Sequence, residues 1–287
     1  MWIDQQIETY RSRRAALDWF DAQCWIGVGP AGLLQPVESV DATRRLLARY
    51  GIHRAVVAHA AARDGDRPLG NRLLLEAIQN QRGLFGAAVL APGDVPTETP
   101  RGPRAEPGAD MPSQPIEASA RGWPAYLASL AAAKVRMIRA FPRAHGFKLS
   151  DRSAEPWLEA IADAGLPLAV WHVETTWDDL AAVCERYPRL NVIVEGPNRK
   201  LIYHNRIYYG LLERYANFHL AIDNLVNYLG VDDIVRRFGS QRLIFGSYFP
   251  HQDPNAAMGM VIEGDMTPSD RENIAFRNLE RLAEVAR

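Results

Sequence analysis

The stretch Trp19–Gly27, WFDAQCWIG, carries the first side chains that could do chemistry. Asp21, Gln23 and Trp25 are spaced by two, so in an unbroken strand they share one face. Other polar groups stand near the ends of later apolar runs: Arg139 in VRMIRAFP, His172 and Glu174 in PLAVWHVE, Glu195 in NVIVEGP, Asp223 and Asn224 in HLAIDNL, and Tyr248 with His251 in RLIFGSYFPH. His59 and the loop residues His145, Lys148, Asn198 and Arg199 extend the set. Histidine titrates near neutrality, so His172 is the natural general base. Glu195 or Asp223 could orient its ring, and Arg139 could grip an anion through paired N–H groups. Tyr248 could hydrogen-bond a developing oxyanion. Asp21, Gln23, Trp25, Arg139 and His251 are expected to line the substrate site. A strong nucleophile is missing. Cys24 is the thiol nearest this set, and alternation turns it away from Gln23 and Trp25.

Each of these residues also has a structural reading. Asp21 could hold the amides of a neighbouring loop. Gln23 and Trp25 could fill space, and His172 could be a satisfied core histidine. Arg139 could pair with Glu174 or Glu195 for structure alone, since a buried carboxylate needs such a partner. His251 could be plain surface.

Positioning such groups requires a scaffold that collects strand ends. Eight short apolar runs alternate with helical patterns through the 287 residues. Runs of this kind suit strands buried on both faces of a parallel sheet. Eight repeats fit a closed (β/α)8 barrel, with slight distortion allowed, formed as one domain over residues 1–287. A doubly wound sheet is the competing fold. It would need a phosphate-binding turn after the first strand, but in GVGPAG Pro30 removes a donor and no helix begins there. A Pro/Gly-rich stretch over 92–122 breaks the rhythm and reads as a loop insertion, with a lid as its functional alternative. A helix is expected over 267–285, with Thr267 or Ser269 as its N-cap.

With a formal net charge of −1, nothing favours nucleic acid or an anionic membrane. Two cysteines and no apolar signal core make a reducing cytoplasm the expected setting. No apolar run reaches the ~20 residues of a membrane span.

With the strands placed, the chain resembles the amidohydrolase-2 branch of the amidohydrolase superfamily. FDAQCWIG, VWHVE, YPRLNVIVEG, RLIFGSYFPH and ENIAFRNLERLA carry the likeness over nearly the whole chain. The resemblance implies a TIM barrel and a metal-dependent hydrolase or decarboxylase, normally holding zinc. The family writes its first strand Asp-x-His-x-His-x-Gly and its eighth Gly-Ser-Asp-x-Pro. Here Gln23 and Trp25 match the two first-strand histidines, and Tyr248 matches the eighth-strand aspartate. His172 matches the fifth-strand histidine. The sixth-strand histidine falls at Glu195 or Gly196. The expectation is therefore no metal and no other cofactor. The leading function is hydrolysis of an activated ester or lactone, or decarboxylation, of a small carboxylate-bearing substrate. The alternatives are a non-catalytic binder of a small molecule or protein, and a rearranged metal site on Glu195, His172 and Asp223. Barrels of this type often pair, so a homodimer is also expected.

Overall fold

The computed structural model describes residues 2–27, 37, 39–94, 122–196 and 204–284. Eight parallel strands follow one another around a sheet in chain order: β1 Trp19–Ile26, β2 Ile52–His59, β3 Leu84–Val89, β4 Val135–Ala140, β5 Leu168–Trp171, β6 Val192–Glu195, β7 Phe218–Ala221 and β8 Leu243–Ile244. This is the expected TIM barrel. The Pro/Gly-rich stretch lies almost wholly outside the described residues, as do Asn198 and Arg199.

Alternation along the strands sorts apolar side chains into two layers. Phe20, Val56, Ala87, Met137, Ala169, Ile193 and Ile244 fill the barrel interior. Trp19, Val57, Ala88, Ile138, Val170, Val194 and Leu220 face the helices, and Cys24 is with them as expected. Helix starts follow their capping residues. Ser39 accepts from the Ala42 amide, Asp66 from Leu69 and Thr176 from Asp179.

The barrel is nearly closed, with one irregular seam between β8 and β1. The eighth strand was expected to run over 242–250, yet only Leu243–Ile244 forms a ladder. Beyond it, single backbone bonds carry the closure. The Ala22 amide donates to Phe245 O at 3.0 Å, and the Trp25 amide to Phe249 O at 2.8 Å.

The last helical region starts at Thr267, whose side chain forms a capping box with Asp270. It is not one uniform helix. A π-helical turn at Asn273–Arg277 separates Pro268–Glu272 from Asn278–Glu284. Two helices lie where no helix was expected, Ala60–Asp64 and Pro254–Ile262. Among the described residues no helix is long and apolar enough to cross a membrane.

Asn278 is fully buried, and its amide nitrogen donates to Ser240 O at 2.7 Å and Leu243 O at 2.9 Å, pinning the start of β8. Replacing Asn278 with Ala strands both carbonyls, so the urea unfolding midpoint should drop by the equivalent of about 2 kcal/mol. An unchanged midpoint would show that the pin is dispensable.

Candidate active site at the carboxyl ends of the strands

The register of β1 against β2 decides which polar groups enter the barrel. Asp21 pairs with Ala55 and Cys24 with Val57, so three steps on β1 oppose two on β2. This bulge breaks the expected shared face of Asp21, Gln23 and Trp25. Asp21 sits beside Ala55 on the outer side, whereas Trp25 pairs with Ala58 on the inner side. Asp21 instead staples the seam. It accepts the amides of Gln23 and Ser247, both at 2.9 Å, and the Ser247 hydroxyl. Burial pushes its carboxyl up, and these bonds pull it back.

Inside, Arg139 and Glu195 form an ion pair sealed from solvent. The Arg139 guanidinium also donates to Ala22 O at 2.7 Å and lies 5.4 Å from the Trp25 ring centre. Gln23 donates its amide N–H to the same Glu195 oxygen at 3.3 Å. Burial raises the Glu195 carboxyl, while Arg139 opposes the shift. Asp223 accepts the Gly196 amide at 3.3 Å, and its carboxyl is raised well above the ordinary range by burial and then by Glu195.

Four aromatic rings roof this cluster. Trp25 meets Trp171 at 5.8 Å and Phe141 at 6.0 Å, Phe141 meets Trp171 at 5.0 Å, and Trp171 meets Tyr248 at 5.7 Å. Exposures of 3 % for Trp25, 1 % for Phe141 and 2 % each for Trp171 and Tyr248 mean that water does not reach Arg139 past them. Tyr248 holds φ 55°, a left-handed conformation that costs a non-glycine residue energy. That conformation accompanies its stacking on His251, with ring centres 4.5 Å apart.

Above the roof lies Arg63, which the sequence reading missed. Its guanidinium sits 4.2 Å from the Trp171 ring centre, pairs with Asp64 at 2.8 Å and approaches Glu174 at 3.9 Å. His145 Nε2 reaches Arg63 O at 3.0 Å. No motif marks Arg63; the short helix that aims it is what makes it visible. His59 caps that helix through Nδ1, which accepts the Ala61 amide at 3.2 Å. Glu174 accepts the Ala144 amide at 2.8 Å.

His172 follows β5 directly. Its Nδ1 lies 3.3 Å from Glu195 O, and a carbonyl can only accept, so Nδ1 carries the proton and the basic lone pair belongs to Nε2. Trp177 stacks beside it at 6.2 Å, and His204 is 5.5 Å away, both between ring centres. His204 was also missed, because nothing in its sequence surroundings ties it to β5. The structure thus gathers Gln23, Trp25, Arg139, Glu195, Asp223 and Tyr248 near the axis, puts His172 and His251 at the rim, and leaves Asp21 in the seam.

The donors do not suit a family-type ion. Trp25 has no lone pair to give, neutral Tyr248 is a poor ligand, and the Glu195 oxygen that faces Gln23 already holds the Arg139 cation. Among the described residues no three His, Cys, Asp or Glu side chains group closely enough to hold a metal together.

The amidohydrolase family model matches residues 19–282. Solved structures resemble the chain throughout. A candidate 2-pyrone-4,6-dicarboxylic acid hydrolase from Pseudomonas putida is 16% identical, with a TM-score of 0.65 over 94% of this chain and 98% of that one. A 2,6-dihydroxybenzoate decarboxylase from Rhizobium is 14% identical, with 0.64 over 94% and 99%. A dihydroxybenzoic acid decarboxylase from Polaromonas, with bound manganese and the inhibitor 2-nitroresorcinol, is 14% identical, with 0.67 over 94% and 98%. No curated protein matches the chain.

Two predictions follow from the buried charges. Glu195→Gln leaves Arg139 buried without its counter-charge and should lower unfolding free energy by about 3–5 kcal/mol in urea; a smaller loss than Asn278→Ala would contradict the pairing. For Asp223 the raised folded-state pKa means that the native state holds a proton the unfolded chain has released. Its stability contribution is full below about pH 4 and is lost as pH rises towards the folded value. Asp223→Asn should therefore gain stability over the parent protein as pH rises from 4 to 8, read as diverging urea midpoints. Parallel midpoints would refute the shift.

Proposed function

The chain belongs to the amidohydrolase family, and on that footing we propose that it hydrolyses or decarboxylates a small carboxylate-bearing molecule at the barrel mouth without the family's usual metal. The buried Arg139–Glu195 pair carries this reading. A divalent ion at Glu195 would have to share that carboxylate with a guanidinium that is itself fixed to Ala22 O. A guanidinium neutralises the glutamate but offers no open coordination position, so the chemistry falls to proton transfer and hydrogen bonding.

His172 is the proposed base, with its lone pair on Nε2 and Glu195 O fixing the tautomer. Tyr248 supplies a hydroxyl for an oxyanion, flanked by His251. Trp25 is part of the aromatic roof, Gln23, Arg139 and Asp223 lie buried beneath it, and Asp21 keeps the seam on which Tyr248 and His251 stand. The substrate class is supported by the neighbours, a dicarboxylic acid hydrolase and two dihydroxybenzoate-type decarboxylases.

A second reading has its own observation. The aromatic roof shuts Arg139 and Glu195 away from solvent, which favours a protein that binds a small molecule at the rim and does not transform it.

One experiment separates these readings. Protein stripped with a chelator is offered 2-pyrone-4,6-dicarboxylate, 2,6-dihydroxybenzoate and related acids, with product followed by chromatography. The enzymatic reading expects turnover that survives chelation and falls about 10²–10⁴-fold in His172→Ala. Thermal stabilisation by an acid without product would favour the binder. Turnover only after zinc or manganese is added would end the metal-independent proposal.

A further inference from the structure

His172 and His204 present opposite faces of imidazole chemistry. His172 Nδ1 meets a carbonyl oxygen, so its Nε2 is the acceptor. His204 Nδ1 lies 3.2 Å from Trp177 Nε1, and an indole nitrogen can only donate. His204 is therefore the acceptor at Nδ1 and carries its proton on Nε2. A ring whose Nδ1 accepts is also a neutral ring. The two rings are 5.5 Å apart between centres, and one tryptophan packs against both, 6.2 Å from His172 and 5.5 Å from His204. Three separate segments supply them: the end of β5, the first turn of the helix Trp177–Arg186, and the residue before the helix Asn205–Arg214. Two imidazoles with opposite Nδ1 roles thus stand side by side.

We propose that His204 is a catalytic residue alongside His172, a neutral hydrogen-bond donor that steadies a developing oxyanion in the hydrolysis of an activated ester or lactone, with Trp177 as its positioning residue. The inference rests on the hydrolytic half of the reading above. His172 Nε2 takes a proton from water as the water oxygen bonds to the carbonyl carbon, and the carbonyl π pair moves onto oxygen. His204 Nε2–H hydrogen-bonds to that oxyanion and keeps its proton, the role open to a neutral imidazole. The pair then re-forms the carbonyl, the ester C–O bond breaks, and the departing oxygen takes the proton from His172. Both rings return to their starting states.

The test has two arms. Long-range ¹H–¹⁵N spectra of labelled protein at pH 8 report which ring nitrogen bears hydrogen, with peaks assigned from single-histidine variants. His172 should be the Nδ1–H form and His204 the Nε2–H form. Trp177→Phe keeps a ring but removes the donor, so His204 should become a mixture of forms while His172 is unchanged. In the second arm, 2-pyrone-4,6-dicarboxylate is the probe lactone. His204→Ala should lower kcat about 10²–10³-fold with KM nearly unchanged, the loss expected for one oxyanion donor. His204→Gln, which restores an N–H, should recover part of it. An Nδ1–H form at His204, or full kcat in His204→Ala, overturns this pair while leaving the proposed function standing. Both tautomers as assigned, with no lactone hydrolysed by the parent protein, overturns the hydrolytic reading and the catalytic role with it.

Discussion

A guanidinium and a carboxylate buried together on the barrel axis set the terms for everything around them. Removing two charges from water is costly, and the attraction between Arg139 and Glu195 offsets part of that cost. Arg139 also reaches Ala22 O, and Gln23 turns inward to the same glutamate oxygen, while Arg139 Nε, Glu195 Oε1 and Gln23 Oε1 have no hydrogen-bond partner among the described residues. The pair also needs water kept out, because solvent would weaken the attraction that holds it. Trp25, Phe141, Trp171 and Tyr248 do this by packing across the strand ends, edge to face except for the tilted Trp25–Phe141 pair. Residues that look unrelated along the chain thus answer to one electrostatic demand.

The irregular seam answers a second demand. A barrel must close without leaving a row of unpaired backbone groups. With β8 only two residues long, the ordinary ladder cannot do this, and a side chain takes over. Asp21 accepts two amides and a hydroxyl from both sides of the junction, and the β1 bulge is what turns it there. The same bulge lets Gln23 point inward to Glu195 two residues later. Closure and charge pairing are therefore coupled through three consecutive positions of one strand.

The sequence made the barrel legible because strands buried on both faces leave continuous apolar runs, and eight of them recur. It also made Arg139, His172, Glu195 and Asp223 legible, since a polar residue at the end of such a run faces the mouth or the core. The bulge was not legible. An inserted residue has no compositional mark, and a one-residue slip reverses every later side chain, which is why Asp21 was grouped with Gln23 and Trp25. The two structural readings that the sequence left open, Asp21 holding amides and Arg139 pairing with Glu195, describe the geometry found. Arg63 and His204 escaped for a different reason. Each owes its position to a neighbour distant in sequence, Trp171 for one and Trp177 for the other, and spacing rules see only what is local.

A TIM barrel can exchange its central chemistry because its stability and its mouth are built from different residues. The layer against the helices and the lower interior are apolar and indifferent to what stands at the strand ends. A fixed cation in place of an exchangeable one changes what those ends can do. Arg139 pairs with Glu195 Oε2 and leaves Oε1 without a partner among the described residues, and a guanidinium cannot release a ligand, accept a substrate oxygen or acidify a water. On the proposed function the reactive groups stand further out, on side chains that keep a proton or a lone pair at the rim. The imidazoles near Trp177 meet that description, and their tautomers are set by a carbonyl on one side and an indole N–H on the other. The roof that shields the buried pair also meets charge on its other side, so one set of aromatic rings packs against the Arg139 guanidinium at Trp25 and the Arg63 guanidinium at Trp171.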